Sequence, residues 1–223
     1  MLAHERMVAS DGYEVALFPM EYLYMTQDEG GDYSHVGTYN IDLRGQDANG
    51  RVYQCPIYAP CTMKVVYRNL TVGGGNLVVF ESVDKVHLAN GSLDYLTIYF
   101  GHDSNPPITT IGAVVQQGEL CYHTGTYGQI TGDHTHTCCG QGHFVGFTTR
   151  PSGHDDLTNR IHYWEGVYVN DTTIVQGYNH DWLTYHGGIT PIDFKPRKFK
   201  WVLYANKLRK RNNYEYWRNN EFN

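Results

Sequence analysis

No stretch of the chain is long and apolar enough to cross a bilayer. Runs such as Leu77-Val78-Val79-Phe80 fit a strand, and fall far short of the roughly 18 consecutive apolar residues of a membrane helix. The start, Met1-Leu2-Ala3-His4-Glu5-Arg6, has neither the basic beginning nor the apolar core of a secretory signal, so synthesis as a soluble cytosolic chain is expected. Cysteine is scarce and odd in number: Cys55, Cys61, Cys121, Cys138 and Cys139 leave at least one thiol unpaired within a monomer, which argues against a disulfide framework. Gly73-Gly74-Gly75 is followed by Asn76 and not by Gly-Lys-Ser/Thr, so it is no phosphate cradle. The pair His4-Glu5 is followed three residues on by Val8, which excludes the His-Glu-x-x-His zinc proteases.

What is present points to strands. The 223 residues suit one domain, or one domain with appendages. The 24 glycines, 19 tyrosines and short β-branched runs punctuated by Gly, Asn and Asp favour a mainly β protein with an antiparallel sheet core. Residues 13–25 read as an opening strand broken near Pro19, with a polar loop from Thr26 to Tyr33 and a strand-like stretch from His35 to Leu43. Val52 to Tyr58, Thr62 to Tyr67, Leu77 to Ser82 and Tyr95 to Phe100 follow as short strands. Gly73-Gly74-Gly75-Asn76 and Ala89-Asn90-Gly91 are expected hairpin turns, because Gly and Asn adopt positive φ cheaply. Between Gly112 and Gly132 glycines recur every few residues, which suits tight turns and close approach of a ligand to the backbone.

Charge is uneven. Residues 193–223 hold nine Lys or Arg against Asp193, Glu215 and Glu221, a balance of +6 in a chain of net −6, so the remainder carries −12. A basic, aromatic tail on an acidic body is suited to an anionic partner such as a wall polymer, a nucleic acid or an acidic protein patch. The boundaries expected are a core over 1–150, an extension over 151–192 and the tail over 193–223.

Gly132-Asp133-His134-Thr135-His136 is the stretch richest in chemistry. Residues two apart on a strand share a face, so His-x-His aims both imidazoles at one spot. With 12 histidines in the chain, about half such a pair is expected by chance; His35 and Asp42 upstream give it weight, because together they can complete a zinc site. A catalytic zinc takes three protein ligands and leaves a fourth position to water. Cys138-Cys139, just beyond, are further candidate ligands by donor type. A thiolate hydrolase would instead need Cys55 or Cys61 activated by a histidine such as His102.

The order His35-x6-Asp42, Ala59-Pro60, Tyr99-x-Gly101-His102-Asp103, Gly112-x5-Gly118, Gly125-x2-Gly128 and Gly132-x-His134-x-His136 resembles the lysostaphin-type zinc endopeptidases, over roughly residues 15–185. Ser34-His35-x6-Asp42 and the later Val169-Asn170-Asp171-Thr172, Gly177-Tyr178 and Trp182 resemble its bacteriophage members, lysins or wall-degrading tail parts. The resemblance implies a lysostaphin-like, barrel-sandwich hybrid sheet flooring an open substrate groove. It implies Zn2+ held by His35, Asp42 and His136, with His102 and His134 as catalytic histidines. The implied substrate is the peptide part of bacterial peptidoglycan. The implied location is a phage virion tail, or the host cytoplasm before release to the wall. The tail would then meet other phage tail proteins or anionic wall polymers, with neither nucleic acid nor membrane as partner. Thr137-Cys138-Cys139-Gly140 departs from the apolar and acidic continuation usual in that family. The alternative is a non-catalytic structural phage tail or wall-binding module that keeps the fold.

Overall fold

The computed structural model describes residues 3–21, 24–47, 49–150 and 153–168. The expected tail over 193–223, most of the extension and the motifs from Val169 to Trp182 lie outside them. Among the described residues no helix is long and apolar enough to cross a membrane.

The chain is mainly β, built of short antiparallel strands. In order these are β1 (Tyr24–Gln27), β2 (Ile41–Asp47), β3 (Gly50–Val52), β4 (Pro56–Tyr58) and β5 (Met63–Asn69). Then come β6 (Leu77–Ser82), β7 (Val86–His87), β8 (Leu93–Asp94), β9 (Leu96–Phe100) and β10 (Val114–Val115). The last are β11 (Leu120–His123), β12 (Thr135–Gln141), β13 (Phe147–Thr149), β14 (Asp155–Leu157) and β15 (Arg160–Ile161), closed by one helical turn, α1 (Tyr163–Gly166). The main sheet runs β1-β2-β12-β9-β6-β5-β10, with β15 alongside β12 and β3 alongside β2. The pairs β11-β4, β13-β14 and β7-β8 form small separate sheets.

The central strands are covered on both faces, which is why they read as unbroken apolar runs rather than alternating ones. Val78, Phe80, Ile98, Phe100, Ile41 and Leu43 point into the larger core. Val79, Tyr99 and Cys138 point the other way, into a second cluster with Leu157. Tyr163 and Val167 of the 153–168 segment belong to the larger core as well. Phe100 packs its ring 6.1 Å from Phe80 and 5.8 Å from Tyr122. Truncation of Phe100 to alanine should therefore cost about 3–5 kcal/mol of stability, read from the midpoint of chemical denaturation.

The hairpins at Gly73–Asn76 and Ala89–Gly91 form as expected, joining β5 to β6 and β7 to β8. Several expected strands differ. Residues 13–21 bury Val15, Ala16, Leu17 and Phe18, yet make only isolated bridges, Glu14 to Val8, Val15 to His87 and Leu17 to Tyr168. This segment joins no ladder: Ala16 and Phe18 enter the larger core, while Val15 and Leu17 pack in a separate cluster with Ala9 and Tyr168. The expected strand over His35–Leu43 begins only at Ile41, and His35 lies in the preceding turn. Val52 to Tyr58 is two strands divided by Gln54, whose φ is +48°; its N–H reaches the Asp133 carboxylate at 3.1 Å. The loop expected from Thr26 starts later, because Thr26 and Gln27 belong to β1.

Candidate metal centre

Strand register builds half of the site. In the antiparallel pair β2-β12, His136 lies directly opposite Asp42, so two side chains 94 residues apart face one another at 2.9 Å, His136 Nδ1 to Asp42 Oδ1. Ile41 and Leu43 go to the core on the opposite face. The third side chain comes from the turn before β2. There His35 N–H donates to the Gly31 carbonyl at 3.0 Å, and its own carbonyl accepts Thr38 N–H at 2.8 Å. This fully buried ring puts Nε2 at 3.4 Å from Asp42 Oδ1 and 3.2 Å from His136 Nδ1.

Three donor atoms separated by 2.9, 3.2 and 3.4 Å fit the ligand–ligand edges of a tetrahedral ion with bonds of about 2.0–2.1 Å, edges of about 3.3–3.4 Å. The chemistry of the donors agrees. His35 Nδ1–H is given to the Asp28 carbonyl at 3.1 Å, so in the neutral ring Nε2 carries only a lone pair. A lone pair from each imidazole and a carboxylate oxygen then converge on one point, which needs a cation there. His35, Asp42 and His136 are the group of potential ligands that meets this condition among the described residues. The donors leave a fourth tetrahedral position open to solvent or substrate.

Electrostatics at the centre favour the ligand forms of these groups. Burial pushes the Asp42 carboxyl up, but the adjoining imidazoles of His136 and His35 outweigh it and hold Asp42 well below the usual carboxylate range. Burial lowers His136 despite the Asp42 bond, which keeps its imidazole neutral. If the triad holds zinc, adding Zn2+ to chelator-stripped protein should raise Tm by roughly 5–15 °C at 100–1,000 times the dissociation constant. Scanning calorimetry with and without the metal checks this; the shift should vanish in His35→Ala.

His102 and His134 flank the triad. His134 stands one residue before β12, pairs with Gly125 through N–H to O bonds of 2.9 and 3.0 Å, and sets Nε2 at 3.7 Å from Asp42 Oδ1. Its Nδ1 lies 2.8 Å from the Gly132 carbonyl, to which it donates. His102 follows the end of β9, where Gly101 N–H donates to the His136 carbonyl at 2.9 Å. Its Nδ1 donates to the Tyr127 carbonyl at 2.9 Å, and its ring centroid is 4.7 Å from that of His134. Burial, then the neighbouring imidazoles of His134 and His136, push His102 down to about 4, so its ring is neutral at pH 7. In both rings a backbone carbonyl occupies Nδ1 and Nε2 is left for chemistry.

All five expected site residues thus meet at one place. No protein-family model matches the chain. It is 33% identical over 176 residues, 78% of its length, to morphogenesis protein 1 of Bacillus phage B103, of which it spans 46%; the chain covers about half the length of that curated relative. Among solved structures, the catalytic domain of the prophage-encoded protein EnpA from Enterococcus faecalis is 21% identical, with TM-score 0.41 over 58% of this chain and 91% of that one. The catalytic domain of the antimicrobial peptidase lysostaphin from Staphylococcus simulans is 20% identical, with TM-score 0.36 over 60% of this chain and 81% of that one. The chain resembles the lysostaphin-type peptidases. A zinc-containing peptidase from Vibrio cholerae is 17% identical, with TM-score 0.39 over 60% of this chain and 42% of that one.

Other candidates lie elsewhere than this His-Asp-His centre. Cys138 donates to Asp156 Oδ1 at 3.1 Å, and Cys139 lies in the larger core; neither is a member of the triad. Burial pushes the Cys55 thiol up to about 12 and Cys61 well above its usual range, so neither offers the thiolate that a cysteine hydrolase needs. His4, His87, His143 and His162 pair with Glu21, Asp11, Glu81 and Glu29. Sequence reasoning missed the carbonyls of Asp28, Tyr127 and Gly132, which orient three of the rings and carry no side-chain signature. It named Tyr99 in a motif but gave it no role; its ring lies 5.9 Å from that of His136 while its hydroxyl donates to Asn40 Oδ1 at 2.6 Å.

Proposed function

We propose that the chain is a zinc-dependent endopeptidase of the lysostaphin family. It hydrolyses amide bonds in the peptide stems or cross-bridges of bacterial peptidoglycan, as a bacteriophage lysin or a wall-degrading part of the phage tail. The observation that carries this reading is the convergence of His35 Nε2, Asp42 Oδ1 and His136 Nδ1 within 3.4 Å of one another, with two further imidazoles beside them. The sequence likeness to a phage morphogenesis protein supports the phage setting.

His35, Asp42 and His136 would hold the ion. When bound, zinc supplies Lewis acidity toward a carbonyl and brings the pKa of water to about 7. The residues around it do the rest. His134 and His102, each fixed through Nδ1 by a backbone carbonyl, present Nε2 toward the substrate. One takes the proton of the attacking water and later passes it to the leaving amine, while the other, once protonated, donates to the oxyanion. The half-buried Asp42 carboxylate lies close enough to His134 to stabilise an imidazolium formed there.

Mass spectrometry of fragments released from purified walls, with and without chelator, tests the reading. New amino termini from peptide bonds, lost with chelator and restored by zinc, are expected. Release of reducing sugars alone, or no release, would overturn it, the latter favouring a structural tail module. Deleting residues 193–223 should weaken retention on walls bearing anionic polymers without altering the bond cut.

A further inference from the structure

His102 sits in a conformation that residues with a side chain rarely adopt. Its φ is +82°, where Cβ crowds the backbone, so neighbouring contacts must impose it. On one side, His102 N–H donates to the Gly75 carbonyl at 2.6 Å and its carbonyl accepts Tyr127 N–H at 2.9 Å. On the other side stands Asp103. This carboxylate is buried and gathers three N–H groups: Asn105 N–H on Oδ1 at 2.8 Å, and both the backbone N–H and ring Nδ1 of His123 on Oδ2, at 2.9 and 3.0 Å.

The backbone of Asp103 is held as well. Its N–H donates to the Tyr122 hydroxyl at 3.2 Å, and its carbonyl accepts the Asn76 amide at 2.9 Å. The Tyr122 hydroxyl in turn donates to the Asn76 carbonyl at 2.6 Å. Space beneath is minimal: a Cβ on Gly125 would overlap the His102 carbonyl oxygen and lie 2.8 Å from Asp103 Cα. Since a carboxylate only accepts, the His123 Nδ1 must carry the proton. One residue of β11 therefore grips one carboxylate oxygen twice.

We propose that Asp103, clamped by His123, is a positioning residue for the reaction. It fixes the turn that holds His102 at positive φ, and so keeps its Nδ1–H on the Tyr127 carbonyl and its Nε2 free for substrate and water. This rests on the catalytic role given to His102 above. Asp103 touches no reacting atom in this scheme and acts through the backbone of its neighbour. His123, through these two bonds, is thereby tied to the site.

Asp103→Asn, studied in the full-length, zinc-loaded chain on soluble peptidoglycan peptides, is the test. Asparagine keeps the size but turns one acceptor into a donor, so Asn105 or His123 meets a like group. The expected result is a fall in kcat of about 10- to 100-fold, with KM and zinc content as in the unsubstituted chain. The His102→Ala variant is measured beside it, and adding Asp103→Asn to His102→Ala should cause no further loss. Independently of activity, proton NMR of the metal-free protein should show the His102 Nδ1–H resonance lost or exchange-broadened in Asp103→Asn.

If His102→Ala retains full activity, the role of His102 itself fails. If His102→Ala is impaired but Asp103→Asn keeps its kcat, or lowers activity equally in the His102→Ala background, the positioning role is overturned. Should Asp103→Asn not fold, His123→Leu decides. A several-fold loss of kcat at unchanged KM supports the clamp, and an unchanged kcat overturns it.

Discussion

Replacing Asp42 by alanine should remove the metal from the protein and reduce wall hydrolysis about a thousandfold or more. The magnitude follows from the several kcal/mol of charge stabilisation that a catalytic ion supplies, at about 1.4 kcal/mol per tenfold in rate. Asp42 is the hub of the centre: its Oδ1 lies 2.9 Å from His136, 3.4 Å from His35 and 3.7 Å from His134. Without it the cluster keeps only nitrogen donors, and a divalent ion loses the one formal negative charge in its donor set. Asp42→Asn separates charge from shape, because the amide fills the same space but donates through one arm and bears no charge. Both variants should fold, since Ile41 and Leu43 anchor β2 in the core from the face opposite Asp42. Metal analysis by atomic absorption, paired with fragment release, checks the prediction. One equivalent of zinc retained in Asp42→Ala, with activity within tenfold of the unsubstituted chain, would sink the assignment.

Much of this centre could be read from the residue types, and little of it from the local pattern alone. The His-x-His alternation does put His134 and His136 on one side of β12. That Asp42 faces His136 depends on the β2-β12 register, which is fixed by Ile41 and Leu43 burying against the core and by no feature near either histidine. His35 was expected to open a strand-like stretch ending at Leu43, but apolar and polar residues alternate only from Tyr39 to Leu43. The Gly31 and Gly37 turn comes before that pattern, and the resulting loop is pinned by Gln27, whose side chain bonds Ser34 twice. The glycine-rich text was read as room for a ligand near the backbone; at Gly125 the space is taken instead by the chain's own backbone at His102 and Asp103. The long apolar opening stretch misled for a physical reason: burial of Val15, Ala16, Leu17 and Phe18 requires contact with the core, not membership of a ladder. Cysteine type was equally ambiguous, since a soft donor and a small buried apolar group are the same residue.

His134→Ala should separate holding the ion from using it. His134 donates Nδ1–H to its own neighbour's carbonyl at Gly132 and approaches the triad only through Nε2, so its removal leaves all three ligand atoms in place. Zinc content and the zinc-induced gain in Tm should match those of the unsubstituted chain. The backbone pairing of residue 134 with Gly125 survives the substitution, so the loop that supports His102 stays where it is. The rate, however, should fall about 10²- to 10⁴-fold, the range expected for losing a positioned proton acceptor or a donor to the oxyanion. The loss should appear in kcat and kcat/KM alike, because the interaction is made only as charge develops at the reacting carbonyl. His134→Gln, which can donate but cannot shuttle a proton, then divides the two roles. Recovery of most of the rate would assign His134 to the oxyanion and leave His102, neutral at pH 7, as the base; no recovery would assign the proton transfer to His134. Full activity in His134→Ala with zinc bound would mean that the ring beside Asp42 is merely a wall of the site, and the mechanism would have to be rebuilt around His102 alone.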